Sequence, residues 1–155
     1  EVVATGGTFL TEGIADTTLT QLAFEGGSRA HVFVSWLHPF KEQKLVVVGD
    51  KKMVTFCDIT KEMILHDQRV DWKDNIPVPV KGDGVAVEFS EEMPLDIECQ
   101  HFADCVANHE QARTDGRNGI RVLSILHDAQ QSLDANGQIV QCNLSKAKEA
   151  IHATS

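Results

Sequence analysis

The chain has 155 residues, of which 42% are hydrophobic and 24% charged, a composition typical of one globular domain that excludes collagen, coiled coil and long disordered segments. Its 14 basic and 23 acidic residues give a formal net charge of −9, and because such a surface repels phosphate backbones we expect no nucleic-acid partner. No apolar run approaches the roughly 20 residues of a transmembrane helix, so we expect no membrane partner.

The first ninety residues consist of short apolar runs separated by turn residues, a pattern that predicts β-strands joined by hairpins. Gly26-Gly27 and Gly49-Asp50 are expected at two of the turns, the first of them a tight primed turn. Residues 67–84 are predicted to form a long connection with an edge strand around 78–80. The other strands are expected at 2–10, 17–24, 29–37, 44–48, 52–57, 62–66 and 85–89.

A helical period begins after residue 90. Pro94 suits the first helical position, where its missing N–H would have no partner in any case. Phe102 lies on the predicted apolar face, so we expect Phe102→Ala to lower stability by roughly 3–5 kcal/mol. The spacing of four, three and four residues that defines this face is that of Leu95, Cys99, Phe102 and Val106.

The same period predicts a second helix. Thr114 or Asp115 is the expected N-cap and Asn136-Gly137 the expected stop. The apolar stripe is wide, so we expect this helix to be well buried. It comprises Val122, Leu126, Ala129 and Leu133, widened by Ile120, Leu123 and Ile125.

Strands followed by helices favour an α+β fold with a mostly antiparallel, open β-sheet. Two helices can cover only one face of the five- or six-stranded sheet expected here. A face of about 500 Å² would remain, estimated from usual strand spacings. An apolar patch of that size usually marks an interface, so we expect a homo-oligomer formed through the open sheet face.

Four cysteines, at positions 57, 99, 105 and 142, form no CxxC motif. They suit free thiols in a reducing compartment better than a disulfide framework, which favours a cytoplasmic protein. No basic segment followed by an apolar one opens the sequence, so we expect no signal peptide. His101 and Cys105 would share a helix face, but two ligands do not make a zinc site, and no metal is expected.

Trp36, His38 and Lys41 follow a predicted strand whose ladder is interrupted by Pro39. An aromatic ring beside two groups that can carry positive charge is able to hold an anionic or sugar-like ligand. The alternative is a cluster at the strand end that serves packing alone.

Arg117 lies at the start of the second predicted helix. Free N–H groups at a helix start attract anions, and the Arg117 guanidinium adds positive charge there. The alternative is a capped helix with an exposed arginine.

Several segments together resemble the C-terminal domain of the Gfo/Idh/MocA oxidoreductases, the family of glucose–fructose oxidoreductase and inositol dehydrogenase. The resemblance covers residues 1–140, and the order of the segments makes it specific. They are PLDIECQHF (94–102), TDGRNGIRVL (114–123) and AQQSL (129–133), together with the Ser35-Trp36…Pro39…Lys41 segment and the following VVVGD (46–50), which resemble the sugar-nucleotide members.

The resemblance implies the substrate-binding and oligomerisation domain of an NAD(P)-dependent sugar or sugar-nucleotide dehydrogenase. In such enzymes a Rossmann domain binds NAD or NADP, and hydride passes from a sugar hydroxyl carbon to nicotinamide. The Gly-rich fingerprint and the family's Glu-Lys-Pro motif are missing from this sequence, as is the segment with its catalytic histidine. We therefore expect no bound cofactor, no catalytic residue and no activity in this chain alone. The expected substrate-binding residues are Trp36, His38, Lys41 and Arg117.

Residues 141–155 are expected to form a tail, and 151–155 resemble the opening of a left-handed β-helix acyltransferase domain. Two other classes of function stay open. One is a non-enzymatic, self-associating α+β module. The other is a small standalone α+β enzyme that uses a His–Asp pair.

Overall fold

The computed structural model describes residues 1–80, 82–90 and 92–142. Its mostly antiparallel strands form open sheets accompanied by two helices, which confirms the predicted α+β class. The described residues form two compact units, one made of Glu1–His38 with the described residues from Leu95 onward and the other of Pro39–Pro94. Most of the predicted tail, including 151–155, lies outside the described residues.

The first unit contains a three-stranded antiparallel sheet in the order β1 (Val2–Gly7), β2 (Thr17–Ala23) and β3 (Arg29–Ser35). The hairpin between β2 and β3 is confirmed, but its turn is not a tight primed one. The Gly27 N–H donates to the Phe24 carbonyl at 3.0 Å, and Gly27 has a positive φ of 82°. Three residues form the loop, which is the usual type I turn followed by a glycine bulge.

The described part of the first unit also contains two helices, α1 (Pro94–Asn108) and α2 (Gly116–Asp134). Helix α2 packs against β1, where Val2 and Ala4 are buried. Gly6 makes the approach possible, because a Cβ there would lie 2.5 Å from the Thr17 carbonyl oxygen and 3.1 Å from Leu133 Cδ1. The interior of this unit therefore lies between β1 and the C-terminal half of α2.

Both ends of α2 follow the sequence prediction. Asp115 is the N-cap, with its side chain accepting the Asn118 N–H. After the helix, Asn136 and Gly137 have positive φ values of 55° and 84°. The Gly137 N–H donates to the Ser132 carbonyl at 2.8 Å, which satisfies a carbonyl that has no partner within the helix.

The predicted burial of the helices is wrong. Phe102 is 67% exposed, and its neighbours Leu95 and Val106 on α1 are exposed as well. On α2 the exposed residues include Val122, Leu123 and Leu126, and Ser132 is the residue that is fully buried. Periodicity identified side chains that share a face, but it carries no information on what lies against that face.

The second unit begins with the predicted strands β4 (Lys44–Val48), β5 (Met53–Cys57) and β6 (Glu62–His66), each antiparallel to the next. The Gly49 N–H donates to the Lys52 carbonyl at 3.0 Å across the β4–β5 turn.

A separate hairpin follows, in which β7 (Arg69–Lys73) pairs with β8 (Ile76–Val80). Asp74 and Asn75 form its two-residue turn and have positive φ values of 52° and 62°. The strand expected around 78–80 is confirmed as part of β8. The long connection expected around it is wrong, because Asp and Asn adopt the left-handed conformation that a two-residue turn requires.

Strand β9 (Gly84–Ala86) pairs with β6 and completes a four-stranded sheet in the order β4-β5-β6-β9. The rings of Phe56 and Phe89 meet edge to face, with centroids 5.8 Å apart. The nine described strands thus belong to three sheets, whereas the sequence suggested one sheet of five or six strands. Neither described helix is long and apolar enough to cross a membrane.

Candidate functional site

Trp36 directly follows β3, and its side chain is 85% exposed. Its backbone N–H donates to the Asp16 carbonyl oxygen at 2.8 Å, which fixes the main chain at this position. The exposed indole is therefore carried by an anchored backbone.

Asp16, which accepts the Trp36 N–H, also holds the loop between β1 and β2. It is only 6% exposed, and its Oδ2 accepts the backbone N–H groups of Phe9 at 2.5 Å and Leu10 at 2.8 Å. The Asp16 N–H donates to the Gly7 carbonyl at 2.9 Å. Asp16 was not among the residues predicted from the sequence. The signal was an aspartate in a glycine-containing loop directly before a strand, because Asp side chains accept N–H groups of nearby turns.

His38 and Lys41 are both exposed, but the structure divides them between the units. His38 is in the first unit, together with Trp36, and Lys41 is in the second. Trp36 and His38, two positions apart in the sequence, thus belong to one unit, and Lys41 belongs to the other.

Arg117 is the second residue of α2, and it is exposed. The carboxylate of Asp115 takes the place at the helix start where an anion would bind: Oδ1 accepts the Asn118 N–H at 2.8 Å and Oδ2 accepts from Gln111 Nε2 at 2.6 Å. These two hydrogen bonds lower the pKa of Asp115, and the charge of Arg117 lowers it further. An anionic ligand at this end of α2 would depend on the Arg117 side chain.

His101 and Cys105 do share a face of α1, as their spacing predicts. Cys105 Sγ lies 3.6 Å from His101 Nε2, and the Arg113 backbone N–H donates to the same nitrogen at 3.1 Å. Cys105 is buried and Cys99 is exposed. The pair connects α1 to the segment that follows it, and within the described ranges three or more metal-ligating side chains do not gather anywhere.

A shallow groove of about 630 Å³ runs along β2 and β3. Leu19 and Phe33, paired across the two strands, contribute apolar surface, and Arg29, His31 and Gln21 contribute polar groups. Gly6, on the opposite side of the sheet, faces α2. Gly6 pairs with Thr18, and the next pair along β2 and β3 is Leu19 with Phe33. Because successive residues of a strand point to opposite faces, Leu19 and Phe33 lie on the face that α2 does not cover, which we call the uncovered face.

The described residues do not fit a dinucleotide. A dinucleotide pyrophosphate binds at the N-terminus of a helix that follows a parallel strand. The described strand pairs are antiparallel, α1 begins with a proline that has no N–H, and α2 begins at the Asp115 carboxylate, which repels phosphate. We therefore assign no step of hydride transfer to these residues.

Comparison with solved structures finds a similar fold in part of a longer chain. Two crystal forms (P21 and P212121) of the UDP-N-acetylglucosamine 3-dehydrogenase GnnA from Acidithiobacillus ferrooxidans match with TM-scores of 0.74 and 0.72, each at 17% sequence identity. Each match covers 88% of this chain and 40% of the solved chain, so this chain spans about two-fifths of that enzyme's length. No protein-family model matches the sequence, and no curated protein matches it.

Proposed function

We propose that this chain is the substrate-binding and oligomerisation domain of an NAD(P)-dependent sugar or sugar-nucleotide dehydrogenase. The observation that carries the proposal is the structural match over 88% of the chain to part of a UDP-N-acetylglucosamine 3-dehydrogenase. The sequence segments that resemble the Gfo/Idh/MocA family, and their order along the chain, independently support the same class of substrate. NAD or NADP supplies the hydride acceptor in the complete enzyme, and this chain contributes to the walls of the substrate pocket.

Each candidate residue has a role that its chemistry supports. The exposed Trp36 indole offers an aromatic face to a sugar or base ring. His38 and Lys41 donate hydrogen bonds to hydroxyl or diphosphate oxygens, and Arg117 is the fourth candidate, for an anionic group. Because the chain carries a net charge of −9, a nucleotide diphosphate needs such local cationic groups to offset long-range repulsion.

The test is dehydrogenase activity of the complete enzyme, measured as reduction of NAD⁺ or NADP⁺ with a panel of UDP-sugars. We expect activity with at least one of them, and Lys41→Ala should raise KM or lower kcat. Lys51→Ala is the matched control, since this exposed lysine lies in the β4–β5 turn, outside the candidate set. Activity that is absent with every UDP-sugar and free sugar would contradict the proposal.

Self-association through the uncovered face of the β1–β3 sheet is part of the proposal. Its support is the apolar surface of Leu19 and Phe33 together with the 630 Å³ groove beside them. Light scattering at tens of micromolar should give a mass above that of one 17.1 kDa chain. A strictly monomeric chain would contradict this role.

The second candidate function is a non-enzymatic assembly module. It is favoured by the many exposed apolar residues, Val32, Phe33 and Val34 on β3 among them. An oligomer that forms normally in a complete protein without dehydrogenase activity would support this candidate.

A further inference from the structure

The turn after α2 contains an Asn-Gly pair, Asn136-Gly137, whose asparagine is exposed. Both residues have left-handed backbone conformations, with φ values of 55° and 84°. The sequence contains one other such pair, Asn118-Gly119, in the first turn of α2. In each pair the asparagine carboxamide is next to a main-chain nitrogen whose own residue has no Cβ to shield it, so ring closure between the two groups is chemically open. The structure distinguishes the two pairs.

Asn118 is held in a helical turn that opposes this ring closure. Its N–H donates to Asp115 Oδ1 at 2.8 Å, and the Gly119 N–H donates to the Asp115 carbonyl at 3.1 Å. In an α-helix the Cα–Cβ bond tilts toward the helix N-terminus, so the Asn118 carboxamide is directed away from the nitrogen of the next residue. Ring closure at Asn118 therefore requires the first turn of α2 to open.

Asn136 lies outside the helix, which ends at Asp134. Helical geometry therefore does not direct its carboxamide away from the Gly137 nitrogen. The Gly137 N–H donates to the Ser132 carbonyl at 2.8 Å, and the Asn136 N–H donates to the Leu133 carbonyl at 3.1 Å. Opening of this turn releases the Gly137 nitrogen without unfolding α2, and the ends of elements open at a lower free energy than the elements themselves.

The main chain that follows this turn connects α2 to β1. The Ser132 hydroxyl on α2 donates to the Gln138 carbonyl at 2.6 Å. Two positions further on, Val140 exchanges two backbone hydrogen bonds of 2.9 Å with Val2 on β1. Asn136 lies between the helix and both of these connections, so a covalent change there displaces the residues that make them.

We propose that Asn136 is a deamidation site whose modification weakens the connection between α2 and β1. The Gly137 nitrogen attacks Asn136 Cγ, a new C–N bond closes a succinimide ring, and the amide NH₂ leaves as ammonia with the proton displaced from Gly137. Water then opens the ring at either carbonyl and gives aspartate or isoaspartate. Isoaspartate adds one methylene carbon to the main chain ahead of Gly137. The reaction needs only water and does not depend on the proposed dehydrogenase activity.

Mass spectrometry of the chain after storage in mildly alkaline buffer tests the choice of site. Trypsin places the two pairs in separate peptides, 118–121 and 122–146, because it cleaves after Arg117, Arg121 and Lys146. Replacement of the amide by a carboxyl group adds about one dalton. We expect this gain at Asn136 at least about tenfold faster than at Asn118 in the folded chain, because the turn opens more readily than the helix. In urea the two rates should converge. The same ratio in the folded and unfolded chains, or a faster gain at Asn118, would overturn the proposal.

Asn136→Gly is the matched control. Glycine accepts the left-handed backbone of this position and has no carboxamide, so peptide 122–146 should keep its mass during storage. The same peptide contains Asn143. A mass gain that persists in Asn136→Gly would assign the reaction to Asn143 and overturn the proposal.

Thermal unfolding tests the structural consequence. Deamidation adds one negative charge to the formal −9 of the chain, so anion exchange separates the modified chain, and enzymatic methylation of isoaspartate identifies the isoaspartyl fraction. This fraction should melt at a lower temperature than the fresh chain. Freshly prepared Asn136→Asp carries the charge without the longer main chain and should melt between the two. An isoaspartyl fraction that melts with the fresh chain would overturn the proposed weakening of the connection between α2 and β1.

Discussion

The hydroxyl of Ser132 accepts the backbone N–H of Ala4 at 2.8 Å in a site with no solvent exposure. The same hydroxyl donates to the Gln138 carbonyl at 2.6 Å. One side chain on α2 thus joins the helix to β1 and to the segment after the helix. Val2 and Val140, which exchange two backbone hydrogen bonds of 2.9 Å, extend this connection.

Ser132→Ala should lower the free energy of unfolding by about 1–3 kcal/mol, because it leaves the buried Ala4 N–H without an acceptor. Urea denaturation would measure the loss. Ser124→Ala is the control, since the Ser124 hydroxyl donates to the Ile120 carbonyl of its own helix, and a change of less than about 0.5 kcal/mol is expected. Equal effects of the two substitutions would contradict the central role of Ser132.

Phe102→Ala should change the stability of this chain by less than about 1 kcal/mol, because the ring is largely exposed. Val2→Ala should cost about 2 kcal/mol, since Val2 is fully buried beside α2. Thermal and urea unfolding of both variants would test this order. A larger loss for Phe102→Ala would restore the original sequence-based prediction.

Gly137→Ala should destabilise the chain by about 1–2 kcal/mol, because an L side chain strains the left-handed backbone at this position. The added Cβ would also lie 2.8 Å from Thr5 Cγ2. Gly119→Ala is the matched substitution, in a helical position with open space around it, and it should stabilise by roughly 0.5–1 kcal/mol. Substitutions with the same sign would show that the backbone conformation of Gly137 does not matter.

Asp115→Asn should alter the pH dependence of stability. The hydrogen bond from the Asn118 N–H and that from Gln111 lower the pKa of folded Asp115, so its contribution is present above the unfolded-state pKa and is lost as pH falls through the folded value. The difference in melting temperature between the wild type and Asp115→Asn should therefore shrink as pH falls from about 5 toward 2. A difference that stays constant over this range would show that the carboxylate does not titrate with folding.

Local features were predictable from sequence. The sequence predicted the hairpins around Gly26-Gly27 and Gly49-Asp50. It also predicted Pro94 at the start of α1 and Asp115 at the start of α2. Each depends on the backbone preference of a few adjacent residues, which does not change with the surroundings. The Asp74-Asn75 turn also depends on the backbone preference of adjacent residues. It was not predicted, because Pro77 and Pro79 favoured an irregular connection over a hairpin strand.

Features that depend on distant residues were not predictable. The periodic spacing around Phe102 is real, yet the face it marks is exposed. The anchoring of Trp36 depends on Asp16, twenty positions earlier, and on the register between β2 and β3. The division between Trp36 and Lys41 has the same origin, since a short sequence interval does not reveal a boundary between compact units.

The bond between Ala4 and Ser132 joins residues 128 positions apart, and all of Pro39–Pro94 lies between them. At a translation rate of about 5–20 residues per second, roughly 6–26 seconds therefore pass between the synthesis of Ala4 and that of Ser132. The packing of β1 against α2 therefore cannot form until most of the chain has been synthesised. Nascent chains must keep the valines and alanine of β1 from pairing wrongly until α2 has left the ribosome.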